Sequence, residues 1–165
     1  MLVNATNKNA DIKYTKYPQQ KYARAWRPVN SNEILAYLGI TVFMGCQRLQ
    51  TIDEYWNTQP QNGAVFDLIR QSIALKRWEQ IHRFFYINQP KQLNLRPFEK
   101  MEPLDDIVRT ASQTYMIPGT HIAVDECIQG FQGRASEIVI IPSKPIPTGY
   151  KIWVKALDGY VFDFI

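Results

Sequence analysis

Cysteine is almost missing from this chain: Cys46 and Cys127 are the only two in 165 residues. Two thiols cannot build a disulfide framework, and neither has a companion Cys or His at zinc-ligand spacing, so both read as reduced and packed. Histidine is equally scarce, and His82, on a helical pattern beside Trp78 and Phe85, reads as a packed or half-exposed ring. Long apolar runs are lacking too. None approaches the roughly 20 residues a membrane helix needs, and Met1-Leu2-Val3 gives way to polar residues where a signal peptide has its apolar core. These absences predict an intracellular protein without a membrane segment, in which the sequon Asn4-Ala5-Thr6 carries no glycan. Internal repeats are lacking as well.

What is present suits a folded domain. Hydrophobic residues make up 45% of the chain and aromatics 13%, enough at this length for one core, or for one domain and part of a second. The net charge of +4 permits contact with a polyanion without requiring it, ordinary solvated lysines being the equal alternative.

Residues 1–29 are polar and show no sustained apolar period, which predicts an extended arm. Asn30 with Glu33 three residues on forms a capping box, and Leu35, Leu38, Val42, Cys46 and Leu49 then recur every three or four residues. Ile34, Ile40 and Phe43 widen the apolar face beyond that stripe, so a central helix over Ser31 to Gln50 in contact with several neighbours is expected. Short helical pieces follow at Ile52 to Trp56 and Val65 to Gln71, with a turn at Pro60-Gln61-Asn62-Gly63. Ser72 is read as the cap of a helix carrying Leu75, Trp78, Ile81 and Phe85; residues 89–101 as a loop; and Pro103 as the first position of a helix that Pro118-Gly119 ends. Trp56, Trp78, Phe84, Phe85 and Tyr86 fall on helical spacing and read as core rather than as a base-stacking platform.

Beyond Gly119 the period becomes alternating. His121 to Cys127 and Glu137 to Ile141 read as strands, and Lys151 to Leu157, Asp158-Gly159 and Tyr160 to Ile165 as a hairpin on a two-residue turn. The predicted class is α+β: a polar arm (1–29), a helical segment (30–117) and an antiparallel β-meander (118–165).

Among the acids, Asp125 and Glu126 are neighbours on a strand and so face opposite sides. Read alone, Asp125 is better explained by a bond from a nearby backbone amide than by chemistry. Asp158 suits the hairpin turn, Asp163 the exposed face of its strand, and Asp105 and Asp106 a helix N-terminus. Arg134, Lys144, Lys151 and Lys155 gather in and after the loop joining the first strand to the hairpin. Cations there can hold phosphates while Pro142, Pro145 and Pro147 stiffen the path, a solvated loop being the alternative. For Arg24, Arg27, Lys76, Arg77 and Arg83 an ordinary solvated surface is the preferred reading.

The run from Pro118 to Tyr160 changes these odds. His121-Ile-Ala-Val-Asp125-Glu126, Phe131-x-Gly133-Arg134, Ile141-Pro142-x-Lys144-Pro145 and Gly149-x-Lys151 resemble, in order and spacing, the first catalytic motif of the piggyBac transposase family. Thr6-Asn7, Arg24-x-Trp26-x-Pro28, Glu33-Ile34, Leu38-Gly39-Ile40 and Met44-Gly45 resemble the helical segment before it, so the likeness spans nearly the whole chain. The resemblance implies a ribonuclease H-like core whose aspartate triad uses Mg2+ to cut transposon ends and join them to target DNA in the nucleus. It makes Asp125 the first metal ligand and a catalytic residue, and Arg134, Lys144 and Lys151 nucleic-acid contacts. It also implies double-stranded DNA as partner, a homodimer formed through the helical dimerisation and DNA-binding segment, and no small-molecule substrate. No other aspartate matches the second or third member of the triad. The expectation is a fragment with an incomplete ribonuclease H-like core that performs no strand cleavage by itself. The rival reading is a domesticated or residual module that binds DNA or protein without catalysis.

Overall fold

The computed structural model describes residues 1–19, 26–88 and 96–165. Arg24 and the first part of the expected 89–101 loop lie outside them. The chain divides into two compact units, Met1–Leu93 and Asn94–Ile165, so the division falls well before the expected boundary at 117/118.

The first unit is helical. Its opening element corrects the extended-arm expectation, because Leu2–Lys16 is a helix, α1. The missing apolar period has a physical cause: its buried face consists of Ala5, Thr6, Asn9 and Ala10, and polar bonds to distant backbone groups dock it. Asn7 Nδ2 donates to the Val29 carbonyl (3.0 Å) and its Oδ1 accepts the Val29 N–H (2.7 Å), while Asn9 Nδ2 donates to the Phe84 carbonyl (2.8 Å). Such bonds satisfy buried main-chain groups that would otherwise cost about 1–3 kcal/mol each.

Helix α2, Ser31–Cys46, starts at the expected capping box: the Asn30 side chain accepts the Glu33 N–H, and the Glu33 carboxylate accepts the Asn30 N–H. It stops four residues before Gln50, and its inward face keeps the expected Ile34 and Ile40, with Leu38 and Phe43 packed beside them, but not the whole stripe. Ile34, Tyr37 and Ile40 are buried, whereas Leu35 and Val42 are 66% and 67% exposed. Apolar residues lie all round this helix, so periodicity cannot choose a face. Tyr37 decides it, packing on Trp78 and Phe85 with ring centroids 5.6 and 4.9 Å away.

Short 3-10 turns at Asp53–Trp56 and Pro60–Asn62 follow, and then helix α3, Asp67–Ser72. Ser72 does not cap the next helix. Its hydroxyl donates back to the Leu68 carbonyl (2.6 Å), and helix α4, Leu75–Phe84, starts after Ala74. Its Trp78, Ile81 and Phe84 are 3%, 0% and 0% exposed; fully burying side chains of this size stabilises by about 1.5–3 kcal/mol each.

The second unit opens with helix α5, Pro97–Tyr115. Pro97 takes the first helical position and the Glu99 carboxylate accepts the Arg96 N–H (2.8 Å). The predicted start at Pro103 is therefore six residues late, and Pro103 lies inside the helix, where its missing N–H leaves the Glu99 carbonyl without that bond. Four strands follow: β1 (Ala123–Gly130), β2 (Ile138–Ile140), β3 (Thr148–Leu157) and β4 (Tyr160–Phe164). All pairing is antiparallel and runs through β3. Strand β1 lies along one side of β3, and β2 and β4 share the other at opposite ends, so β2 does not pair with β1 as a simple meander would have it. The β3–β4 turn is the predicted one, Asp158 and Gly159 taking φ of 49° and 83°. At the other end of β3, Gly149 stands opposite Gly130, and a Cβ there would fall on the Gln129 carbonyl. Among the described residues no helix is long and apolar enough to cross a membrane.

Candidate functional site on the first strand

Register fixes the surroundings of each acid on β1. Asp125 stands opposite Val154 and Glu126 opposite Trp153, so the pleat sends the two carboxylates to opposite faces of the sheet, as alternation predicts. Asp125 shares its face with Cys127 and Gln129 on β1 and with Ile152 on β3. Its Oδ1 accepts the Glu126 N–H at 2.7 Å, and the residue is exposed.

Glu126 is the more crowded acid. Lys151 Nζ lies 2.8 Å from one carboxylate oxygen and Lys144 Nζ 3.8 Å from the other. The hydrogen bond from Lys151, reinforced by the charges of Lys151 and Lys144, holds the Glu126 carboxyl below its ordinary pKa. Lys151 also sits over the Trp153 ring, 4.5 Å from its centroid. Of the three basic residues singled out in the sequence, Lys144 and Lys151 thus converge on Glu126, on the face away from Asp125. Arg134 is exposed in the loop after β1.

Asp163 corrects the sequence reading. It is 7% exposed, and its carboxylate accepts hydrogen bonds from Arg109 Nε (2.8 Å) and Lys155 Nζ (2.7 Å). Those two bonds, the Lys155 one the larger, hold its pKa below the ordinary carboxylate value. Alternation of Asp163 with Phe162 and Phe164 suggested an exposed face because the cation supplied by α5 lies 54 residues away. Lys155 thereby becomes an ion-pair partner across the hairpin.

Several other assignments change. Cys46 and Cys127 are both exposed, so neither is packed: α2 turns Cys46 away from the Tyr37 face, and β1 is an edge strand of the sheet. Arg77, taken for a solvated cation, is 7% exposed: it pairs with Glu33 (2.9 Å) and its guanidinium lies over Trp26, 5.0 Å from the ring centroid. Arg27 stays on the exposed surface, as read from the sequence, and pairs with the same glutamate at 2.6 Å. His82 stacks on Trp78 at 4.9 Å, with Nδ1 3.0 Å from the Tyr37 hydroxyl. Of these contacts, Arg77 with Glu33 and His82 with Tyr37 join positions 44 and 45 apart in the sequence.

A two-metal phosphoryl-transfer centre needs several carboxylates converging on cations about 3.5–4 Å apart. Among the described residues no group of three or more His, Cys, Asp or Glu could hold a metal ion. The donor set therefore does not fit such a centre, although Asp125 offers one carboxylate on a rigid strand.

Residues 1–165 match the family model described as Transposase IS4. The chain belongs to that transposase family. Its fold is that of part of a piggyBac transposase, the protein of a cryo-EM structure of the piggyBac transposase synaptic complex with hairpin DNA: the TM-score is 0.74 at 22% identity, over 99% of this chain and 34% of that one. This transposase-family chain thus spans about a third of the length of that relative. The piggyBac resemblance read from the motif around Asp125 agrees with both findings.

Proposed function

We propose that this chain is the helical segment and first strands of a piggyBac-like DNA transposase, with Asp125 as the first metal ligand of a ribonuclease H-like centre that uses Mg2+ on transposon-end DNA. The observation that carries the reading is the placement of Asp125: within the family motif, exposed on an eight-residue strand, and separated by the pleat from the lysines that neutralise Glu126. A nuclear location and a homodimer follow from the same family reading. One carboxylate cannot hold two cations against water, so the chain by itself performs no strand cleavage or joining and acts, if alone, as a DNA-binding module.

Purified chain incubated with Mg2+ and duplex DNA carrying terminal repeats is expected to give a salt-sensitive mobility shift and no nicked product. Metal-dependent nicking that disappears in Asp125→Ala would overturn the claim of incompleteness. Absence of any shift at low salt would overturn the DNA-binding claim.

A further inference from the structure

The sheet face that carries Asp125 also carries a small pocket under α5. Phe98, Met101 and Asp105 fall three and four residues apart, on one stripe of that helix. They stand over Tyr150 and Ile152 of β3 and Phe164 of β4, and together enclose a cavity of about 320 Å³. Gln129 of β1, opposite Tyr150 in the register, and Ile165 complete the wall. This volume is at the small end of the roughly 300–1,000 Å³ range of ligand pockets, so the space suits a compact group rather than an extended molecule.

Two features select the chemistry of that group. Phe98 and Tyr150 meet edge to face, with ring centroids 5.4 Å apart and planes at 75°, so they form a corner rather than a stack. Phe131 packs on Tyr150 as well, centroids 5.0 Å apart, which steadies that ring. Aromatic faces carry negative potential and attract a cation within about 6 Å of the centroid. The second feature is Asp105, half-buried and, among the described residues, the one charged side chain of the wall. Among those residues its carboxylate has no hydrogen-bond or ion-pair partner. Arg109, one turn further along α5, lies within its electrostatic reach but is bonded to Asp163 at 2.8 Å. The field of the surrounding unit has the same sign, since Asn94–Ile165 holds seven Lys and Arg against nine Asp and Glu, a net −2. An anion is therefore repelled. A metal ion would find one carboxylate and otherwise apolar walls, too few oxygens to replace its water. A neutral apolar group would take water from the half-buried carboxylate and offer it no partner. A cation whose charge is spread over methyl groups satisfies both the rings and the acid.

We propose that this pocket binds a small organic cation of choline size, with Phe98 and Tyr150 facing its methyl groups and Asp105 neutralising its charge. The site rests on the sheet unit alone and stands whether or not the transposase reading does. Asp125 lies four residues from Gln129 along β1, roughly 13 Å at 3.3 Å per residue, so the pocket and the candidate metal ligand are separate places on one face.

The test is a titration of the full chain with choline at constant ionic strength, followed by the methyl resonances of Met101 and Ile152. A parallel titration uses the neutral alcohol that has a carbon in place of choline's charged nitrogen. Choline is expected to shift both resonances saturably. The alcohol should bind at least about fivefold more weakly, the scale of one charge pair at about 4 Å even in water-like surroundings. Asp105→Asn keeps the shape of the wall and should weaken choline binding by at least the same factor. Phe98→Leu, at a position 46% exposed and so safe for the fold, should weaken it by about 2- to 30-fold, the range of one cation–ring contact. Glu102→Gln, at an exposed acid of α5 outside the wall, should bind choline as the wild type does. No saturable shift at Met101 and Ile152 up to millimolar choline overturns the proposal. So does equal binding of the neutral alcohol, or wild-type affinity in both Asp105→Asn and Phe98→Leu.

Discussion

Arg77 is a buried, multiply bonded side chain of the helical unit, and its removal tests how that unit is held. Nε donates to Glu33 Oε1 (2.9 Å), while Nη2 donates to Glu33 Oε2 (3.0 Å) and the carbonyls of Arg27 (3.1 Å) and Pro28 (3.3 Å). Breaking a buried ion pair by deleting one partner costs about 3–5 kcal/mol. Glu33 keeps Arg27 and its capping bond to Asn30, so the lower end applies, and Arg77→Met is expected to destabilise the unit by about 2–4 kcal/mol. Against a typical total of about 5–15 kcal/mol, that is a large downward shift of the urea midpoint, readable from the tryptophan fluorescence of Trp26, Trp56 and Trp78. Acid pH offers an independent check. The hydrogen bond from Arg77 is the main cause that holds the Glu33 pKa below its ordinary value. The folded protein therefore binds that proton less readily than the unfolded chain does, and the stabilisation is complete above the ordinary carboxylate range and drains away as pH falls through the lowered pKa. Arg77→Met should flatten this acid limb. A loss under about 1 kcal/mol with an unchanged acid limb would refute the argument, since it would mean that the Arg77 bonds leave no net stabilisation.

Two further perturbations concern the sheet unit. Gly149→Ala places a methyl on the Gln129 carbonyl, and because backbone rather than a flexible side chain must yield, a cost at or above the usual 1–3 kcal/mol of overpacking is expected, measured as a lowered melting temperature; a neutral result would show that the β1–β3 end relaxes freely. Asp163→Asn removes the charge shared by Arg109 and Lys155 and should cost about 1–3 kcal/mol, the scale of hydrogen bonds to charged groups. Its pKa lies below the ordinary value, so this contribution too should vanish as pH falls through the acid range; an Asn variant with wild-type stability at pH 7 would return Asp163 to the solvated role its alternation suggested.

Where a structure depends on neighbours in the sequence, the residues announced it. Asn30 and Glu33 specify a capping box within four residues, and Asp158-Gly159 specifies a two-residue turn because both central positions require positive φ. Where it depends on partners far along the chain, they did not. Helix α1 carries no apolar stripe because its docking uses Asn7 and Asn9 against main-chain groups of Val29 and Phe84, 22 and 75 positions away. The inward face of α2 is only partly legible for a related reason: Ile34 and Ile40 point to it, but several apolar faces are on offer, and only Tyr37 meeting Trp78 and Phe85 selects one. Pro97 and Pro103 both had the chemistry of a helix start, and the Glu99 bond to the Arg96 N–H favours the earlier one.

The candidate site divides along the same line. A local motif singled out Asp125, and the period of two separated it from Glu126, but the cations that neutralise Glu126 and Asp163 come from β3, α5 and the loop before β3. Pairing therefore gives the two acids of β1 different electrostatic fates. Glu126 is satisfied by Lys151 and Lys144, whereas Asp125 holds a single backbone N–H and faces solvent. A carboxylate already neutralised by ammonium groups is a poor cation ligand, since the metal would have to displace them. On the proposed reading this makes Asp125 the better ligand of the pair. It also weakens the case for Lys151 as a strong phosphate contact, because each phosphate bound there would cost the Glu126 pair.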